Sequence, residues 1–199
     1  MNMKDFWMDV LRSAAVVGVA MSLSHILEQY VLVYSTMDVA TATLLVAVEA
    51  LVAAAGFVAM HYYFVRRVAK QWHERLDVGE GRIIEVKFTY GRALSYVLMV
   101  SMLAGVIVGV ANTLYTDMQG YDLYISSILA RFDELLSMPG LLPEQRAVFD
   151  EFTSLLESSE APSIFENILS YVNTYMFFGG ITGFAVAYVA RRNLPVRTE

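Results

Sequence analysis

Cysteine is absent from this 199-residue chain. Disulfides, thiolate metal sites and a thiol nucleophile are therefore excluded. Charge is also scarce: 17% of residues are charged, against about 25% in a typical soluble domain. Cations are the scarcer sign, with 14 Lys and Arg against 20 Asp and Glu and a net charge of −6. Such a chain gathers too little cationic surface to neutralise phosphates, which argues against nucleic acid as a partner. The four prolines, Pro139, Pro143, Pro162 and Pro195, all fall outside the apolar stretches. No span is then broken by proline, which argues against a transporter built on interrupted helices. A Ser–His–acid set, a phosphate-cradling glycine loop and an HExxH motif are missing too. His61 and His73 have no carboxylate at ligand spacing and do not resemble a zinc site. Neither a metal nor a cofactor is expected, and no catalytic residue is assigned.

What the chain has in quantity is apolar sequence, 57% of its residues. Four windows, about 10–34, 39–65, 93–115 and 168–190, approach or exceed the roughly 20 apolar residues that cross a bilayer. The expected fold is an all-α membrane protein of one domain: a four-transmembrane-helix bundle with an amphipathic helical hairpin, about 116–166, between spans three and four. The first window is too long for a cleaved signal peptide, and Lys4 is offset by Asp5 and Asp9, so it counts as a span. Twelve of the 14 basic residues flank one side: Lys4 and Arg12, then Arg66, Arg67, Lys70, Arg75, Arg82, Lys87 and Arg92, then Arg191, Arg192 and Arg197. The excess of Lys and Arg on that side predicts that both termini are cytoplasmic.

Glu49 sits in the middle of the second window, where a carboxylate must be paired, protonated or facing water. His25, Glu28 and Gln29 share one helix face near the end of span one. The turn Ser35–Asp38 is short, so spans one and two are antiparallel neighbours. Counting from it at about 1.5 Å per residue puts His25 and Glu49 at one depth, where they can meet. Thr182 is expected at that depth as well. His25, Glu28, Glu49 and Thr182 thus form a candidate midplane polar site. It has two readings: a site that carries a proton or grips a polar group, or a structural clamp that fixes the hairpin register.

Small residues predict close helix contact: Ala14, Gly18 and Ser22 in span one, Gly105 and Gly109 in span three, Gly179 and Gly183 in span four. The last two pairs are expected to bring spans three and four together. Span two is expected to run on as a helix to about Leu76, broken by Gly79-Glu80-Gly81. Residues 83–90 are compatible with a short extended piece or an interfacial entry to span three. Arg66, Arg67, Lys70 and Arg75 are candidate contacts for anionic headgroups, beside a simple positive-inside reading. Tyr62, Tyr63, Trp72, Tyr96 and Tyr188 at one level, and Tyr30, Tyr34, Tyr115, Tyr171 and Tyr175 at the other, read as interface belts.

Between spans three and four, Tyr121, Tyr124, Ile125, Ile128, Phe132, Leu135 and Leu136 recur at helical spacing. Met138-Pro139-Gly140 ends that helix, and Pro143 suits the first turn of a second, with Val148, Phe149, Phe152, Leu155 and Leu156 on one side. Ser163–Glu166 has capping-box form and starts the last helix. From Asp117 to Glu166 there are ten acidic and two basic residues, so strong attraction to anionic lipid is not expected.

The chain resembles the bacterial membrane family known as domain of unknown function 4199. The resemblance rests on the four-span layout and on the basic loop leading into Phe88-Thr-Tyr-Gly-Arg-Ala-Leu94. It also rests on span three ending in Ala111-Asn112-Thr-Leu-Tyr115, the paired helices around Met138–Glu144, and the Gly-rich last span ending in Arg-Arg. Arg92 stands where that pattern has an acidic or amide residue, and no proline follows Tyr115. The resemblance implies the inner membrane of a Gram-negative bacterium and brings no established activity. It also implies a setting near a polyprenyl-phosphate glycosyltransferase. The expected function is that of a non-enzymatic accessory or interaction protein of a membrane assembly. Its partners would be membrane lipids and a protein partner or a second copy of the chain. The alternative is a small carrier or binder of a lipid-linked or amphipathic solute, using the midplane polar site.

Overall fold

The computed structural model describes residues 3–72, 74–77, 83–86, 88–137, 142–158 and 160–192. Among them are helices α1 (Met3–Tyr34), α2 (Val39–Gln71), α3 (Tyr90–Gln119), α4 (Tyr121–Ser137), α5 (Pro143–Glu157) and α6 (Ile164–Arg192). Between α2 and α3 lie two short strands, β1 (Glu74–Asp77) and β2 (Ile83–Val86). The fold is a helical bundle in which four helices, α1, α2, α3 and α6, are long and apolar enough to cross a membrane.

Local chemistry sets the helix ends. Asp38 caps α2 by accepting from the Thr41 backbone N–H at 3.0 Å, and Thr89 caps α3 by accepting from Arg92 N–H at 3.3 Å. Gly120, at φ 90°, ends α3 in a conformation that only glycine adopts easily. Ser163 and Glu166 close the capping box at the start of α6, with Ser163 N–H donating to Glu166 Oε2 at 2.9 Å.

The end of α2 differs from expectation. The helix stops at Gln71, not Leu76, with Trp72 N–H donating to Val68 O at 2.9 Å. Residues Glu74 to Asp77 then pair antiparallel with Ile83 to Val86, Glu74 opposite Val86. The β-branched run Ile83, Ile84, Val86 favours extended backbone and recruits the preceding segment into a ribbon. The expected break at Gly79-Glu80-Gly81 lies outside the described residues, as does Met138-Pro139-Gly140.

α3 is the central helix, packed most extensively on α6 and then on α1, while α2 leans on α1 and α6. In a bilayer such contacts are held by close packing and polar bonds, because lipid tails are as apolar as the side chains. A Cβ added at Gly105 would lie 2.8 Å from Val172 Cα, and one at Gly109 would lie 2.7 Å from Ile168 Cα. On the other helix, Gly179 lies over the Ser101 side chain, and a Cβ at Gly183 would meet Leu94 Cδ1 at 2.8 Å. The two glycine pairs therefore do not face each other. Each opens a slot at its own level, Gly105 and Gly109 near the α4 end, Gly179 and Gly183 near the end that carries the termini.

α4 is clipped onto the α1–α2 turn. Arg131 donates to Met37 O and Ser35 O, each at 2.6 Å, and Glu134 accepts from Val39 N–H at 3.1 Å. These bonds satisfy backbone groups that the ends of α1 and α2 leave unpaired. α5 folds back on α4, with Phe132 against Phe149 and Phe152 at ring separations of 5.7 and 5.4 Å.

Candidate functional site

Among the described residues, the polar side chains that link helices inside the bundle form four groups. At the end carrying the termini, Asp9 of α1 accepts from Arg67 Nη2 at 2.5 Å and from Tyr96 OH at 2.7 Å. Ser13 accepts from Arg67 at 3.1 Å and donates its own proton to the Tyr96 hydroxyl at 2.8 Å. Arg67 is thus not available as a headgroup contact: the Asp9 carboxylate holds it across α1, α2 and α3. Tyr96 is fully buried here and is not part of an interface belt. Of the other expected contacts, Arg66 donates to Tyr62 OH at 3.1 Å and Lys70 is exposed. The Arg75 side chain lies outside the described residues.

In the middle of the bundle, His61 Nδ1 lies 2.8 Å from Phe57 O, and its Nε2 lies 3.0 Å from Ser101 Oγ. A carbonyl only accepts, so Nδ1 carries the proton and Nε2 accepts from the serine. These are the atoms of a nucleophile–base pair, but both side chains are fully buried and Gly179 closes over Ser101. The pair fastens α2, α3 and α6 together and has no room for a substrate.

Toward the α4 end, Gln29 Nε2 donates to Asn112 Oδ1 at 2.7 Å, and Asn112 Nδ2 donates to the Tyr171 hydroxyl. Gln119 also reaches Gln29, and Asn167 donates to Thr113 Oγ1 at 2.8 Å. This network ties α1, α3 and α6.

The fourth group is the one expected to be a site. Ser24 Oγ donates to Glu49 Oε1, joining α1 to α2. His25 turns instead toward its own helix and α6: Nδ1 lies 3.4 Å from Glu28 Oε2, and Nε2 lies 3.2 Å from Tyr175 OH. The expected His25–Glu49 contact is thus replaced by Ser24–Glu49, one residue along α1. Tyr171 packs on the His25 ring at 5.5 Å. Tyr124 of α4 lies near Glu28, and its hydroxyl pKa is raised, first by burial and then by the charge of Glu28. His25 and Glu28 each keep 34% side-chain exposure, and Glu49 is half-buried. The reason is α2, whose residues between Ala42 and Phe57 are none of them buried. This group is open at the side.

Thr182 does not join it. Phe57 meets Tyr175, which sets the register of α2 against α6. Glu49 lies eight residues from Phe57 toward α4, and Thr182 lies seven residues from Tyr175 the other way. At about 1.5 Å per residue, the two are on the order of 20 Å apart along the bundle. Thr182 is a buried packing residue at 8% exposure. Tyr171 and Tyr175, expected at an interface, line the site in its place. Their signal was in the capping box: a helix starting at Ile164 carries Tyr171 and Tyr175 about 10 and 16 Å along its axis.

The open group offers two carboxylates, an imidazole and tyrosine hydroxyls. It suits a proton, an amine or a hydroxylated headgroup, and repels an anion. Among the described residues, no three His, Asp or Glu side chains converge closely enough to hold a metal ion. Comparison with family models, with curated proteins and with solved structures found no match for this chain.

Proposed function

We propose that this chain is a non-enzymatic accessory protein of a membrane assembly, and that the α4–α5 hairpin is the surface it offers to a protein partner. The observation that carries this reading is the uncovered side of α5. Phe149 and Phe152 are used against α4, while Val148 and Leu155 on the adjoining face stay 65% and 62% exposed. Acidic Asp150 and Glu151 flank that face, so anionic lipid is a poor cover for it and a protein surface a good one. The fully enclosed Ser101–His61 pair supports the non-enzymatic part of the reading.

The membrane is the inner membrane of a bacterium and both termini are cytoplasmic; the crowding of Arg66, Arg67, Lys70 and Arg92 at the termini end supports that orientation. The resemblance to the domain of unknown function 4199 family belongs to the same proposal. It is supported by the hairpin between the third and fourth spanning helices. Purification in mild detergent tests the role. The chain should elute with a stoichiometric partner or as an oligomer, and Val148→Lys with Leu155→Lys should release it without unfolding the bundle. A stable monomer in both forms contradicts the proposal.

A second reading is favoured by the half-exposed acids. The side opening at His25, Glu28 and Glu49 suits a binder of an amphipathic solute that enters from the bilayer. Glu49→Gln should then abolish saturable binding of such a solute and leave the fold intact; unchanged binding contradicts it.

A further inference from the structure

A cleft of about 620 Å³ opens at the termini end of the bundle, on the far side from the hairpin. The start of α1 contributes Met3 and Phe6, the end of α2 contributes Trp72, and the first turns of α3 contribute Arg92, Ser95 and Met99. The Arg92 guanidinium lies over the Trp72 ring, 4.7 Å from its centroid. That stacking holds the charge in place. Arg92 Nη1 and Trp72 Nε1 are both shielded from solvent, and neither has a hydrogen-bond acceptor among the described residues. Among the described residues no carboxylate pairs with Arg92. A shielded donor left without an acceptor is costly, more so when it is charged. Here two such donors belong to one stacked pair in one cleft. Arg92 also sits in the first turn of α3, where the helix dipole adds to its positive potential.

We infer that this cleft binds the phosphodiester headgroup of an anionic phospholipid. Arg92 and Trp72 donate to the phosphate oxygens, and Met3, Phe6 and Met99 take the first methylenes of the lipid tails. The walls favour a lipid over a free anion, because a small anion leaves those apolar side chains uncovered. The depth fits as well: the cleft lies at the ends of three spanning helices, where headgroups sit and where tryptophan is enriched. The inference is independent of what docks on the hairpin.

Tryptophan fluorescence of the full chain tests it. The chain has two tryptophans, Trp7 and Trp72, so a Trp7→Phe background reports on Trp72 alone. Phosphatidylglycerol titrated into protein in neutral detergent should change Trp72 emission saturably. Arg92→Gln should raise the midpoint at least about tenfold, as expected for loss of a charge-assisted bond. Ser95→Phe, which fills the cleft from its exposed side without replacing the arginine, should weaken binding as well. It decides the matter if Arg92→Gln does not fold. Phosphatidylcholine should bind more weakly, and inorganic phosphate should bind far more weakly. Equal midpoints for the two lipids, or no change in either variant, overturn the inference. Inorganic phosphate matching phosphatidylglycerol overturns the lipid assignment in favour of a free-anion site.

Discussion

Asp9 is the residue on which the packing of three helices converges. It holds Arg67 of α2 and Tyr96 of α3 from α1, with little access to solvent. Removing Asp9 leaves the part-exposed Arg67 guanidinium without its partner. Asp9→Ala should therefore cost about 1.5 to 3 kcal/mol, the range for hydrogen bonds to charged groups, whereas Tyr96→Phe, losing a hydroxyl, should cost about 1 kcal/mol. Equilibrium unfolding in mixed micelles measures both, and equal losses would contradict the clamp. The Ser24–Glu49 bond makes a second prediction. In double-mutant cycles, Glu49→Gln should couple to Ser24→Ala more strongly than to His25→Ala. The reverse order would restore the pairing expected from the sequence.

Asp38 predicts a dependence on pH. Hydrogen bonds from the Thr41 backbone and hydroxyl hold its carboxyl below the ordinary value. A folded value below the unfolded one means that the cap contributes fully above the unfolded pKa. The contribution is lost as pH falls through the folded value. Amide exchange at the first turn of α2 should accelerate on that acid side in the parent chain, and this pH response should vanish in Asp38→Asn. A response that persists in the variant would assign it to another group.

Among the elements, α3 and α6 approach most closely, and their two glycine pairs differ in what they touch. Gly105 faces the backbone of Val172, which cannot move aside; Gly183 faces the end of the Leu94 side chain, which can. Gly105→Ala should cost more than Gly183→Ala, with the first in the range of about 1 to 3 kcal/mol seen for overpacking. Thermal unfolding of the two variants in one detergent checks the order, and a costlier Gly183→Ala would refute it. The existence of these helices was legible, because a run of about 20 apolar residues leaves few alternatives. The hairpin of α4 and α5 was legible too, from Phe132 and Phe149 recurring on apolar stripes. The register of α6 was not. Counting depth from its first apolar residue left Tyr171 and Tyr175 at the surface, although Ser163 and Glu166 start the helix earlier. Composition likewise hid Arg67, since a basic residue at a span end looks the same whether it meets lipid or Asp9. The extended run after Trp72 was lost to the charged residues there, which suit a helix as well as a ribbon edge.

As a whole, the molecule joins a well-fastened core to places left open. The Asp9, His61 and Gln29 networks fasten α1, α2, α3 and α6 at three levels, while the sides of Glu28 and α5 stay uncovered. A chain without cysteine can carry single introduced ones as reporters of topology. In intact cells, Ser158→Cys should react with a membrane-impermeant maleimide and Lys70→Cys should not. The opposite pattern would invert the proposed orientation. The proposed role itself rests on what meets α5 in the cell. A photo-crosslinking residue placed at Val148 or Leu155 in intact cells tests this most directly. The account predicts one discrete protein adduct from both positions, and none from exposed Leu51 on the lipid side of α2. Adducts with lipid alone, or the same adducts from all three positions, would contradict it.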